Sequence, residues 1–70
     1  MKYIELSLYT GYDKYKDRIA KVLKCSDTKT FFVDMEGTNF SEIRSMGIHN
    51  EIYAEDCAEN FVMGYGEFNR

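Results

Sequence analysis

Apolar and polar residues alternate from Tyr3 to Tyr9, with Ile4, Leu6 and Leu8 on one side of the run. A period of two belongs to a half-buried strand, and Thr10-Gly11 ends it. Over residues 13–25 the spacing changes. Tyr15, Ile19, Val22 and Leu23 recur at i, i+4, i+7 and i+8, which predicts an amphipathic helix. Asp13 stands where an N-cap belongs, and Lys21 and Lys24 fall in the last turn, where cations complement the helix dipole. The outward side of this helix is then basic, made of Lys14, Arg18, Lys21 and Lys24.

Ser26-Asp27-Thr28 reads as a turn, followed by a second strand at residues 30–35, where Phe31, Val33 and Met35 alternate against Phe32 and Asp34. Strand, helix and strand in this order fit a right-handed crossover between parallel strands, and they also fit an antiparallel return. Gly37-Thr38-Asn39 closes the second strand, and residues 41–46 before Gly47 are expected to make one or two helical turns. Residues 51–63 allow two readings. As a helix, they gather Tyr53, Ala54, Cys57, Ala58, Phe61 and Val62 on one half and set Glu55, Asp56 and Glu59 opposite, with Asn50 and Gly64 as caps. As a hairpin, they pair Glu51–Ala54 with Phe61–Tyr65. The alanines and glutamates in the middle favour the helix. The tail from Gly64 to Phe68 is expected to add an edge strand. The fold class predicted is α+β: one domain spanning residues 1–70, with a single-layer sheet that starts β-α-β and packs on one or two helices. Its expected core is Ile4, Leu6, Leu8, Ile19, Val22, Leu23, Phe31 and Val33.

With 44% hydrophobic and 30% charged residues, the chain has a globular composition. At 70 residues, however, only about 60% of the unfolded surface is buried, and one core of this size supplies about 3–5 kcal/mol. Self-association or a partner is therefore expected to add stability. No run approaches the roughly 18 apolar residues of a membrane span, and the N-terminus lacks the apolar stretch of a signal peptide, so a cytoplasmic location is expected. The net charge of −3 is unevenly spread. Residues 1–30 hold seven bases and four acids, for a balance of +3, and residues 31–70 hold two bases and eight acids, for −6. Such segregation produces either internal pairing or patches of opposite sign.

Candidate chemistry is sparse. Asp34-Met35-Glu36 after an apolar strand resembles the first metal-binding element of the DEDD exonucleases, in which two carboxylates project from one strand face. That resemblance implies further acids and a general base, and no such set stands in this chain. Cys25, His49 and Cys57 lack the spacing of a structural zinc site, so no metal or other cofactor is expected and both thiols are read as free. Gly64-Tyr65-Gly66 is a turn or bulge rather than a phosphate loop. Tyrosines beside lysines could stack nucleobases, with Tyr3, Tyr9, Tyr12 or Tyr15 as platforms, but an acidic total works against phosphate neutralisation.

By elimination the chain is expected to be a non-enzymatic binding protein. In size, acidity, aromatic content and lack of a catalytic set it resembles, as a class, the small anti-CRISPR and antirestriction proteins of phages and mobile elements. The stretch Phe31-Phe32-Val33-Asp34-Met35-Glu36 through Phe40-Ser41-Glu42 resembles the hydrophobic–Asp–x–Glu segment of the ArdA antirestriction proteins. The class resemblance implies an inhibitor that occludes a nucleic-acid-binding surface of a host protein, with carboxylates standing in for phosphates. The partner-binding residues expected are Glu51, Glu55, Asp56 and Glu59, with Glu36 and Glu67 as additions and Tyr9, Tyr12 and Tyr65 as aromatic contacts. A homo-oligomer, a subunit of a larger assembly and a nucleic-acid binder are the alternatives.

Overall fold

In the computed structural model, which describes residues 2–68, four strands precede a single α-helix. β1 (Tyr3–Thr10), β2 (Ile19–Cys25), β3 (Phe31–Gly37) and β4 (Phe40–Ser45) form an antiparallel meander in the order β1-β2-β3-β4, and α1 (Glu51–Met63) crosses one face of it. The α+β class and small single-layer sheet stand. The β-α-β start does not, because all four strands come before the helix.

The expected helix at 13–25 is a short 3-10 turn at Asp13–Tyr15 followed by β2. Asp13 has φ 52°, in the left-handed region, whereas an N-cap needs an extended backbone. Of the four residues in the apparent helical stripe only Val22 is fully buried, and its buried neighbour along the strand is Ala20, two positions away. β2 is hydrogen-bonded on both sides, with Val22 opposite Ser7 and Val33, and this central position overrides the helical spacing. The turns expected at 41–46 are likewise replaced by a strand. Thr38-Asn39 makes a two-residue hairpin loop between the paired Gly37 and Phe40, with Asn39 at φ 61°, which returns the chain along β3. The tail forms a 3-10 turn at Gly66–Phe68 instead of an edge strand.

A bulge in β1 redirects its side chains. Glu5 lies opposite Leu23 and Ser7 opposite Val22, so Leu6 is the extra residue and the alternation changes phase there. Ser7 and Tyr9 face the helix, and Leu8 turns to the open side of the sheet. The core expected from the alternation therefore needs correction. Ile4, Leu6, Leu8 and Ile19 are 38–56% exposed, and Leu23 is half-buried. Of the predicted set, Val22 and Val33 are fully buried and Phe31 packs beside them. The remainder of the core is Ala20, Met35, Met46 and the helix residues Ala54, Ala58, Phe61 and Val62. Burying a side chain such as Met35 or Val33 stabilises the fold by about 1.5–3 kcal/mol.

The helix over 51–63 is the reading the structure bears out. Asn50 caps it, its side-chain oxygen accepting from the Tyr53 N–H at 3.1 Å. Gly64 ends it at φ 73°, with its N–H on Phe61 O and the Tyr65 N–H on Asn60 O at 2.9 Å, the paired bonds of a Schellman ending. Among the described residues no helix is long and apolar enough to cross a membrane.

Candidate functional site

The acids of α1 do not act as one group. Glu55 is half-buried and points at β1, where it accepts hydrogen bonds from Ser7 Oγ at 2.6 Å and from the Tyr9 hydroxyl. This carboxylate fastens the helix to an edge strand. Glu51, Asp56 and Glu59 are exposed. Tyr9, expected at an interface, is half-buried against the core and serves as the donor to Glu55. The hydrogen bond to that carboxylate, with burial and the neighbouring acids Glu59 and Asp56, pushes its hydroxyl up to about 12.

The folded pKa of Tyr9 lies above its ordinary value of 10.0, so the stabilisation it brings is complete below pH 10 and is lost as the pH rises towards 12. Tyr9→Phe is expected to cost about 1 kcal/mol at neutral pH and to flatten the fall in melting temperature above pH 10. Thermal unfolding of both forms between pH 8 and about 11.5 checks this, and parallel curves would exclude the linkage.

An open groove of about 730 Å³ runs along the other side of α1. Its walls are the end of β4, the loop residues 46–49, the helix residues Tyr53, Asp56, Cys57 and Asn60, and the segment from Tyr65 to Phe68. His49 stacks on Tyr53 with ring centroids 3.8 Å apart, and both line the groove. Around the groove and the adjoining helix surface lie Ile48, Ile52, Tyr53 and Tyr65, with Ile48 fully exposed and Ile52 70% exposed. Tyr65 and Asp56 thus line the same groove. Tyr12 is exposed in the β1–β2 connection and is not part of its lining. The sequence reading passed over Ile48 and Ile52. Ile52 lies off the buried stripe of Ala54, Ala58, Phe61 and Val62, and this displacement was the available signal.

A second depression, of about 420 Å³, borders the β1–β2 connection, and Arg18 lies in its wall. Its guanidinium lies over Tyr15 at 4.3 Å and Phe61 at 4.9 Å, and donates to Phe61 O at 2.7 Å and Phe68 O at 2.8 Å. The proposed basic helix surface is therefore dispersed. Arg18 is a structural clamp, Lys21 lies 3.9 Å from Glu5 on the open side of the sheet, and Lys24 sits over Phe31. The acids Glu42 and Glu67 are both bound by Arg44, at 2.7 and 2.8 Å. Glu36 is exposed next to the β3–β4 hairpin.

Asp34 and Glu36 alternate onto the open sheet face, but among the described residues no group of three His, Cys, Asp or Glu side chains lies close enough to hold a metal. Both thiols are free. Cys25 is buried at the β2–β3 turn, where hydrogen bonds from Thr28 hold its thiol below the usual value, and burial pushes the Cys57 thiol up. What the fold and its groove define is a small two-layer α+β domain with an apolar and acidic helix surface. Compared with protein-family models, curated proteins and solved structures, the chain has no significant match.

Proposed function

We propose that this chain is a small non-enzymatic inhibitor or regulator that binds a basic protein surface through the outer side of α1. The observation that carries this reading is the exposed apolar side chains of Ile48, Ile52, Tyr53 and Tyr65, with the exposed carboxylates of Glu51, Asp56 and Glu59 on α1. Aromatic and aliphatic anchors inside a charged rim are the make-up of a protein interface. Glu51 to Glu59 spans about 12 Å along the helix at 1.5 Å per residue, and the helix carries no lysine or arginine to offset its acids. The partner that fits is a protein whose own surface is built for phosphates, with carboxylates occupying their places.

The test uses the full chain, immobilised to recover a partner and then measured kinetically against it. Glu51→Gln, Asp56→Asn and Glu59→Gln together are expected to slow association while moving stability by no more than about 0.5 kcal/mol. Added salt should reproduce the effect, because exposed charges are screened over about 8–10 Å at physiological ionic strength. Ile52→Ser should instead hasten dissociation. An unchanged on-rate in the triple variant, together with insensitivity to salt, would refute an acidic contact surface.

A further inference from the structure

The two edges of the sheet are built differently. β1 is interrupted by the bulge at Leu6, a feature that prevents an edge from pairing with another strand. β4 has no bulge, no proline and no lysine, and its register with β3 runs unbroken from Gly37–Phe40 to Phe32–Ser45. One step beyond, the Met46 N–H donates to Phe31 O at 2.9 Å. Antiparallel neighbours exchange bonds at every second residue. Phe40, Glu42, Arg44 and Met46 therefore direct their backbone groups to β3, and Ser41, Ile43 and Ser45 direct theirs outward. No backbone partner among the described residues meets those outward groups, and all three residues are exposed.

We propose that β4 pairs with β4 of a second copy of this chain, antiparallel and about a two-fold axis at Ile43, to give one continuous sheet across the dimer. The sequence Phe-Ser-Glu-Ile-Arg-Ser is self-complementary in this register. Ile43 lies opposite Ile43 of the second copy, Ser41 opposite Ser45, and Glu42 opposite Arg44. The outward groups of Ser41, Ile43 and Ser45 then exchange roughly six interchain hydrogen bonds. The two Ile43 side chains, each 56% exposed in the single chain, cover one another on the open face. On the helix side, the Glu42–Arg44 bond within each strand extends into a four-residue network across the axis. The register is also defended. The nearest slips that keep the backbone bonds, centred at Glu42 or Arg44, set glutamate against glutamate or arginine against arginine, and like charges directly opposite are destabilising.

Sedimentation of the full chain over a wide concentration range should give a species of twice the 8.2 kDa chain mass that dissociates on dilution. Ile43→Lys should remove that species at concentrations where the unaltered chain is dimeric. So should Ile43→Pro, which deletes an outward N–H and leaves the bonds to β3 intact. Circular dichroism confirms that each variant is folded. A readout that needs no variant is amide exchange. The Ser41, Ile43 and Ser45 amides should gain protection with concentration, and those of Leu8 and Thr10 on the β1 edge should not. A monomer at every concentration overturns the proposal. So does a dimer that survives Ile43→Lys, or protection that appears at β1 instead.

Discussion

Gly11→Ala is expected to abolish stable folding. A β-carbon at Gly11 would lie 2.0 Å from the carbonyl oxygen of Tyr15 and 2.9 Å from that of Val62. Both obstacles are backbone, and both are fixed. Tyr15 O accepts from the Arg18 N–H at 2.9 Å inside the β1–β2 connection, and Val62 is in the last turn of α1. Relief would require moving the helix off the sheet or opening the connection. Overpacking with movable side chains costs about 1–3 kcal/mol, so a clash with rigid backbone on two sides should exceed about 3 kcal/mol. That is most of what a core of this size supplies. Gly37→Ala is the comparison. Its nearest neighbour would be the flexible Arg18 Cγ at 3.5 Å, an ordinary contact, and stability should change by less than about 1 kcal/mol. Urea denaturation of the two variants decides the matter, and similar midpoints would show that the connection yields.

Arg18→Ala should be nearly as damaging, by about 2–4 kcal/mol, because one side chain joins the β1–β2 connection to the end of α1 and the 3-10 turn after it. It leaves the β1–β2 connection, packs between Tyr15 and Phe61, and satisfies the carbonyls of Phe61 and Phe68. The first carbonyl is in the final turn of α1, where no basic residue of the helix itself stands, so Arg18 brings positive charge to the negative end of the dipole. Removing it takes the side-chain donor from the Phe68 carbonyl and frees the turn that holds Phe68 on Phe61. Arg18→Lys should recover less than half the loss, since a single ammonium cannot stack as a plane and serve two carbonyls in fixed directions. The measurement is denaturant unfolding of the three proteins, with limited proteolysis at the 65–68 segment as a local readout. Full rescue by lysine would reduce the clamp to its charge alone.

Three elements could be read in advance from local pattern, although only β3 and α1 carry theirs through to packing. β1 alternates, β3 brings β-branched and aromatic residues together, and α1 places Ala54, Ala58, Phe61 and Val62 on one stripe. β2 was misread because Ile19, Val22 and Leu23 satisfy a helical spacing, while the burial of Ala20 and Val22 depends on strands to either side that no local window includes. β4 had a single apolar residue in its middle, Ile43, and that residue faces away from the helix, so there was no hydrophobic face to detect. The bulge at Leu6 was equally hidden, and it reversed the faces of β1 after Glu5. At the candidate site, Asp56 and Glu59 could be placed on the outside of a helix from spacing alone. The diversion of Glu55 could not, because its partners Ser7 and Tyr9 are 48 and 46 positions away.

The helix that covers the sheet is also the last regular element before the closing 3-10 turn, and this order has a consequence for how the chain comes into being. As the polypeptide is made, the four strands emerge with neighbours already in sequence, each hairpin able to form as soon as its second arm appears. None of that pairing yet hides Ala20, Val22, Val33 and Met35, which wait for Ala54, Ala58, Phe61 and Val62. Until then the meander is a ribbon wet on both sides, with its bonds exposed to competition from water. Completion of the last helical turn removes water from the interior, brings the Phe61 carbonyl within reach of Arg18, and seats Gly64 on Tyr15. Closing the core over Ala20, Val22, Val33 and Met35 therefore depends on residues that follow all four strands in the chain.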